Sequence, residues 1–287
     1  METARRAIPI LMYHSVAPDT TPTYAPFTVT PAEFAEHISA LITGGWRIAT
    51  FDEAAHRLRS TSTNGSTSVS AEERLVVVTA DDGLRDFAAH AVPELVKAHA
   101  SATLFVPTAY VGGRAAFMDG EDGQRATLDW VELRGLREAG LELGSHGHRH
   151  LAMDRTKSDL LRSELRRSRE LLQDQIGIEI TSLAYPYGYQ TRRVRGIVRD
   201  VGFTAACSVT DLHATDVDET VALPRLHVLP GTTGDALLKR LEAPKPWLLR
   251  RVVRGEFSVF YAGRPWVRWG QVPVDGPMTG LPRWTRA

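Results

Sequence analysis

Leu75-Val76-Val77-Val78-Thr79-Ala80-Asp81-Asp82-Gly83 is the stretch that decides the fold. An apolar, β-branched run with no polar alternation reads as a strand covered on both faces, the habit of parallel sheets. It ends abruptly in two adjacent carboxylates. Sequestering both costs free energy unless cations, hydrogen bonds or a metal compensate. Gly83 lets the chain turn sharply enough for both to reach one site. The plainer alternative is that Asp82 only caps a following helix.

Outward from this strand the pattern alternates. Further strands are expected at residues 8–13, 103–106, 141–144, 183–185, 203–209 and 223–228. Helices are expected at 31–43, 51–58, 87–100, 130–139, 159–176, 194–201 and 236–241, the first opened by Thr30 as cap and Pro31 at its first position. Repeated strand–helix units argue for an α/β fold with a parallel sheet. About seven such units favour barrel-like closure, with chemistry at the C-terminal strand ends, over an open doubly wound sheet. Residues 59–74, rich in Ser and Thr, read as a mobile surface loop. Residues 1–243 read as one domain. Residues 244–287 read as an extension holding four of six tryptophans and a net charge of +6. Such a segment suits either packing on the barrel or peripheral contact with an anionic membrane.

Composition narrows the function classes. The 287 residues are 43% hydrophobic and 24% charged, with 34 basic against 34 acidic side chains. That excludes a disordered chain and gives no global basic excess for nucleic acid. The single cysteine, Cys207, excludes a disulfide scaffold. No apolar run is long enough for a membrane span, and the six apolar residues before His14 are too short for a secretory signal. The expectation is a cytoplasmic protein, with the inner membrane face as the place for any peripheral contact.

Two more polar clusters follow expected strands. Gly144-Ser145-His146-Gly147-His148-Arg149-His150 holds three of the ten histidines. His146 and His150, four apart, would share a face in a helical turn as a metal-binding pair. Ala184-Tyr185-Pro186-Tyr187-Gly188-Tyr189 reads as a rigid turn or as an aromatic wall beside a sugar ring.

Together these clusters resemble the polysaccharide deacetylase family, the NodB-homology domain. Thr79-Ala80-Asp81-Asp82-Gly83 resembles its Thr-Phe-Asp-Asp-Gly motif, His146 and His150 its His-x3-His motif, and Tyr185-Pro186-Tyr187-Gly188 its third motif. The opening Leu11-Met12-Tyr13-His14-Ser15-Val16 is similar to the branch acting on poly-N-acetylglucosamine. The resemblance implies a distorted (β/α) barrel of about seven parallel strands. It also implies one divalent metal on Asp82, His146 and His150, Asp81 as general base and His14 as general acid. Tyr187 would supply an oxyanion N–H beside Pro186 and Tyr185, and His227 is the alternative acid. The donor set suits zinc and admits cobalt, nickel or iron. The implied substrate is an N-acetylated sugar or glycoconjugate. The other readings are a metal-dependent amidohydrolase on a non-sugar amide or imide, and a catalytically inactive carbohydrate-binding domain. Four departures stand out: Ala80 for Phe, Gly147 where Ser or Thr is frequent, no Arg before Tyr185 to tune Asp81, and no evident Asp-x-x-Trp motif.

Overall fold

A computed structural model describes residues 7–64 and 73–242 of the chain. The sheet strands are β1 (Ile10–Tyr13), β2 (Trp46–Ala49), β3 (Arg74–Ala80), β4 (Thr103–Val106), β5 (Glu142–Ser145), β6 (Ser182–Ala184), β7 (Ala205–Cys207) and β8 (Leu226–His227). Seven run parallel in the order β7-β6-β5-β4-β3-β1-β8, a curled sheet that makes a distorted (β/α) barrel. The ring is joined between β7 and β8 by one parallel bridge, Cys207 to Leu223.

The eighth strand, β2, has no place in that order. It pairs with Arg74–Val77, the lower half of β3, while β4 pairs with Thr79 and Ala80 above it. The length of β3 lets one edge serve two partners. Sequence reading passes over β2, because Trp46-Arg47-Ile48-Ala49 is short and follows Gly44-Gly45 directly.

Alternation along the strands sorts the side chains into two cores. Leu11, Tyr13, Val76, Val78 and Ala80 face outward onto Phe34, Ile38 and Leu41 of helix α1 (Pro31–Thr43) and the other helices. Leu75, Val77, Phe105, Ala184, Ala205 and Cys207 face inward and fill the barrel floor with Phe51 and Ala54 of helix α2 (Phe51–Asn64). Gly144 is the fitted piece there: a Cβ would lie 2.6 Å from the Phe105 ring. Covering each large aliphatic side chain contributes roughly 1.5–3 kcal/mol. The same parity continues inward through Thr79 to Asp81 and carries the carboxylate over the floor.

Helix α1 begins as expected, with a capping box between Thr30 and Glu33. Three expectations need correction. The loop expected at 59–74 is helical through Asn64, because α2 continues past Leu58, and strand from Arg74; residues 65–72 lie outside the described residues. The helix expected at 87–100 is two, α3 (Arg85–His90) and α4 (Val92–Lys97), with Pro93 in the first turn of the second. The last two expected strands shrink to three and two residues. The extension at 244–287 lies outside the described residues. Among the described residues no helix is long and apolar enough to cross a membrane.

Candidate active site

Every sequence-predicted site residue sits at or just beyond a C-terminal strand end: His14 after β1, Asp81 and Asp82 after β3, His146 after β5, Tyr185 after β6 and His227 closing β8. Asp81 arrives by strand parity. Asp82 is turned by the left-handed backbone at Asp82 (φ 74°) and Gly83 (φ 62°). His146 and His150 do not share a helical turn, contrary to the spacing argument. They flank an irregular loop in which Gly147 (φ 75°) and His150 (φ 55°) are both left-handed. This explains the glycine at 147, since a side chain there would be strained. Holding Asp82 and His150 in that region costs on the order of 1–3 kcal/mol each, strain that clusters where geometry serves function.

That geometry brings three donor atoms together. His150 Nε2 lies 3.2 Å from His146 Nε2 and 3.4 Å from Asp82 Oδ1, and His146 Nε2 lies 3.6 Å from the same oxygen. A tetrahedral ion with bonds of ~2.0–2.1 Å sets its ligand atoms about 3.3–3.4 Å apart. The group therefore fits one divalent ion. The His146 Nδ1–H donates to the Ala184 carbonyl at 2.8 Å, which leaves Nε2 its lone pair. Burial pushes the His146 ring down to about 4, against the pull of Asp81, so it is neutral as a ligand must be. Burial pushes the Asp82 carboxyl up, but His150, His14 and His146 outweigh it and hold the group well below the usual range.

Asp81 has a different partner. Arg225, fully buried, donates from both terminal nitrogens to the two Asp81 oxygens at 2.7 Å each. Its remaining donors reach the Ser208 carbonyl and the Thr79 hydroxyl. Burial pushes Asp81 up, and Arg225 with His146 more than offsets it, so Asp81 stays ionised. The arginine missing ahead of Tyr185 in sequence is thus supplied in space from β8's approach. Sequence reading does not single out Arg225.

Comparison with known proteins follows this geometry. The family model described as polysaccharide deacetylase matches residues 68–206, which include Asp81, Asp82, His146, His150 and Tyr185 to Gly188. That stretch of the chain is similar to a polysaccharide deacetylase domain. YxkH of Bacillus subtilis (strain 168), which bears a provisional polysaccharide deacetylase name, is 24% identical over 238 residues, 83% of this chain and 77% of that one. Among solved structures, the Streptococcus pyogenes deacetylase PplD in complex with acetate aligns with TM-score 0.71 at 23% identity, over 83% of this chain and all of that one. IcaB from Ammonifex degensii aligns with TM-score 0.67 at 22% identity, over 83% and 97%. These likenesses confirm the barrel.

The remaining predicted residues divide. Tyr187, left-handed at φ 61°, lines the cleft with its ring 4.8 Å from that of His150. Tyr185 touches the cleft but is 1% exposed, and its hydroxyl donates to the Val221 carbonyl, so it mainly serves the core. Pro186 is buried beneath the turn. His14 and His227 stand side by side on adjacent strands with ring centroids 5.9 Å apart. Neither His14 Nδ1 nor His227 Nε2 has a hydrogen-bond partner. Burial lowers both rings, His227 to about 3. Asp82 and then Asp81 pull His14 back up, whereas His227 feels first the opposing His14 and Arg225. Sequence reading also missed Phe117, tilted against the His150 ring with centroids 4.3 Å apart, and Phe27, packed against both His14 and His227. These aromatic residues lie in a turn and in a single 3-10 turn (Ala25–Phe27), both too short to carry periodicity.

Proposed function

We propose that the protein is a metal-dependent hydrolase that removes the N-acetyl group from an N-acetylhexosamine-containing carbohydrate or glycoconjugate. The observation that carries this is the meeting of Asp82, His146 and His150 beside an arginine-held Asp81 at one end of a deacetylase barrel. A divalent ion on those three residues would polarise the amide carbonyl and acidify the attacking water. Asp81, ionised and with a lone pair left on each oxygen beyond the Arg225 bonds, accepts the water's proton. His14 gives a proton to the departing nitrogen, and its closer coupling to both aspartates favours it over His227. The Tyr187 N–H serves the developing oxyanion. Acetate and a free amine leave. Phe27, Phe117 and Tyr187 give the cleft apolar walls suited to the faces of a sugar ring.

The test is metal analysis followed by an acetate-release screen over N-acetyl sugars, lipid-linked sugars and polymers. One equivalent of zinc or a similar ion, with acetate release lost on chelation and restored by metal, is expected. Stoichiometric metal with ammonia release or ring opening of cyclic amides, and no acetate, would assign the non-sugar amidohydrolase reading. Glycan binding without metal would leave a binding domain.

A further inference from the structure

Tyr24 comes from the proline-flanked loop between β1 and α1, and its side chain is 8% exposed. Its hydroxyl donates to Asp82 Oδ2 at 2.8 Å. That oxygen is the one turned away from His146 and His150, which both face Oδ1. One carboxylate therefore has its two oxygens assigned to different tasks. A buried carboxylate with a free second oxygen can swing about its bond or offer both oxygens to one ion; a donor fixed on Oδ2 removes both freedoms.

The donor is itself held in place. The Arg125 guanidinium lies over the Tyr24 ring at 4.5 Å from its centroid. Arg125 is in turn tied to Asp122 at 3.1 Å, to the Thr20 hydroxyl at 3.0 Å and to Asp86 at 3.5 Å. The Tyr24 N–H donates to the Thr21 hydroxyl oxygen, and that hydroxyl donates to Asp122. Two loops remote in sequence are thus pinned together around one phenol.

We propose that Tyr24 is a positioning residue that orients Asp82 for a divalent ion. The inference rests on the reading of Asp82 as a metal ligand. Losing an outer partner of this kind typically weakens metal binding 10–100-fold.

The experiment titrates metal-free full-length protein with Zn2+ against a chromogenic chelator, for wild type, Tyr24→Phe and Thr21→Ala. It also records the Co2+ visible spectrum of each. Tyr24→Phe keeps the ring and loses only the hydroxyl. It is expected to raise the Zn2+ Kd 10–100-fold and to shift the Co2+ bands, with the thermal midpoint near wild type. Thr21→Ala loosens the same loop but keeps the phenol, so its Kd should stay within about twofold and its Co2+ bands unmoved. Should Tyr24→Phe not fold, Tyr24→Leu carries the same expectation. Equal Kd and spectra for wild type and Tyr24→Phe would overturn the inference and leave the metal site standing, as would equal weakening by Thr21→Ala. Wild type that takes up no stoichiometric Zn2+ would overturn both.

Discussion

The barrel places carboxylates at both ends of its strands and treats them in opposite ways. At the N-terminal end, Glu142 opens β5 and accepts from the Thr103 hydroxyl at 3.0 Å, the Asp52 N–H at 3.0 Å and the Ser182 hydroxyl at 2.9 Å. These donors start neighbouring elements, so Glu142 ties β4, β5, β6 and α2 together. At the C-terminal end, Asp82 meets two imidazoles and a phenol, while His14 Nδ1, His150 Nδ1 and His227 Nε2 have no partner. One end spends its polar groups on each other; the other keeps donor atoms and lone pairs for something that arrives. Barrels of this kind put stability at the first end and chemistry at the second.

The difference can be broken most forcefully at Asp81. Asp81→Asn should keep its metal and lose at least 10²–10⁴-fold in kcat/KM, read by acetate release beside metal analysis. Asp82→Asn and His146→Ala should lose the metal as well. His14→Ala should retain metal and substrate binding and lose 10²–10⁴-fold in rate. The same loss in His227→Ala but not in His14→Ala would reassign the acid. Arg225→Met leaves Asp81 buried without its cation and should cost about 3–5 kcal/mol in urea unfolding. A cost near zero would mean that the pair does not hold the barrel's upper end.

The opposite end should respond in stability alone. Glu142→Ala strands three donors and should cost about 1–3 kcal/mol, with Zn2+ affinity unchanged. A change in metal binding would erase the division between the two ends. The smallest expected effect is in pH. Burial pushes the Glu142 carboxyl up, against the downward pull of its donors, and the net direction is up. The folded chain therefore holds this proton more tightly than the unfolded chain, whose carboxyl titrates near ~4.3. The associated stability is complete below that pH and is lost as pH rises through the folded value, by at most about 1.4 kcal/mol per pH unit. The stability difference between wild type and Glu142→Gln should fall as pH rises across this window. A constant difference would show that Glu142 titrates as it does in the unfolded chain.

What could be read from sequence follows from where each signal lies. The run of valines in β3 and the apolar face of α1 announce themselves locally, so the barrel was legible, as were the residues of the Asp82, His146 and His150 cluster. β2 was not, since four residues with a central arginine look like a turn. The Ser/Thr-rich end of α2 was read as loop on composition, yet the helix carries on to Asn64. Arg225 and Tyr24 were invisible for a different reason. An arginine just ahead of a two-residue strand and a tyrosine in a proline-rich loop become informative only once their partners, remote along the chain, are placed beside them.

Arg225 follows Asp81 by 144 positions and also grips the Ser208 carbonyl, next to the bridge that joins the ring. A ribosome that has released everything through β7 has made both aspartates and both clustered imidazoles, but not the cation that keeps the first aspartate charged. The paired state of Asp81 is thus withheld until the last stave of the barrel is seated, and a chain cut short before that point would hold the Asp82, His146 and His150 cluster beside an aspartate without its arginine.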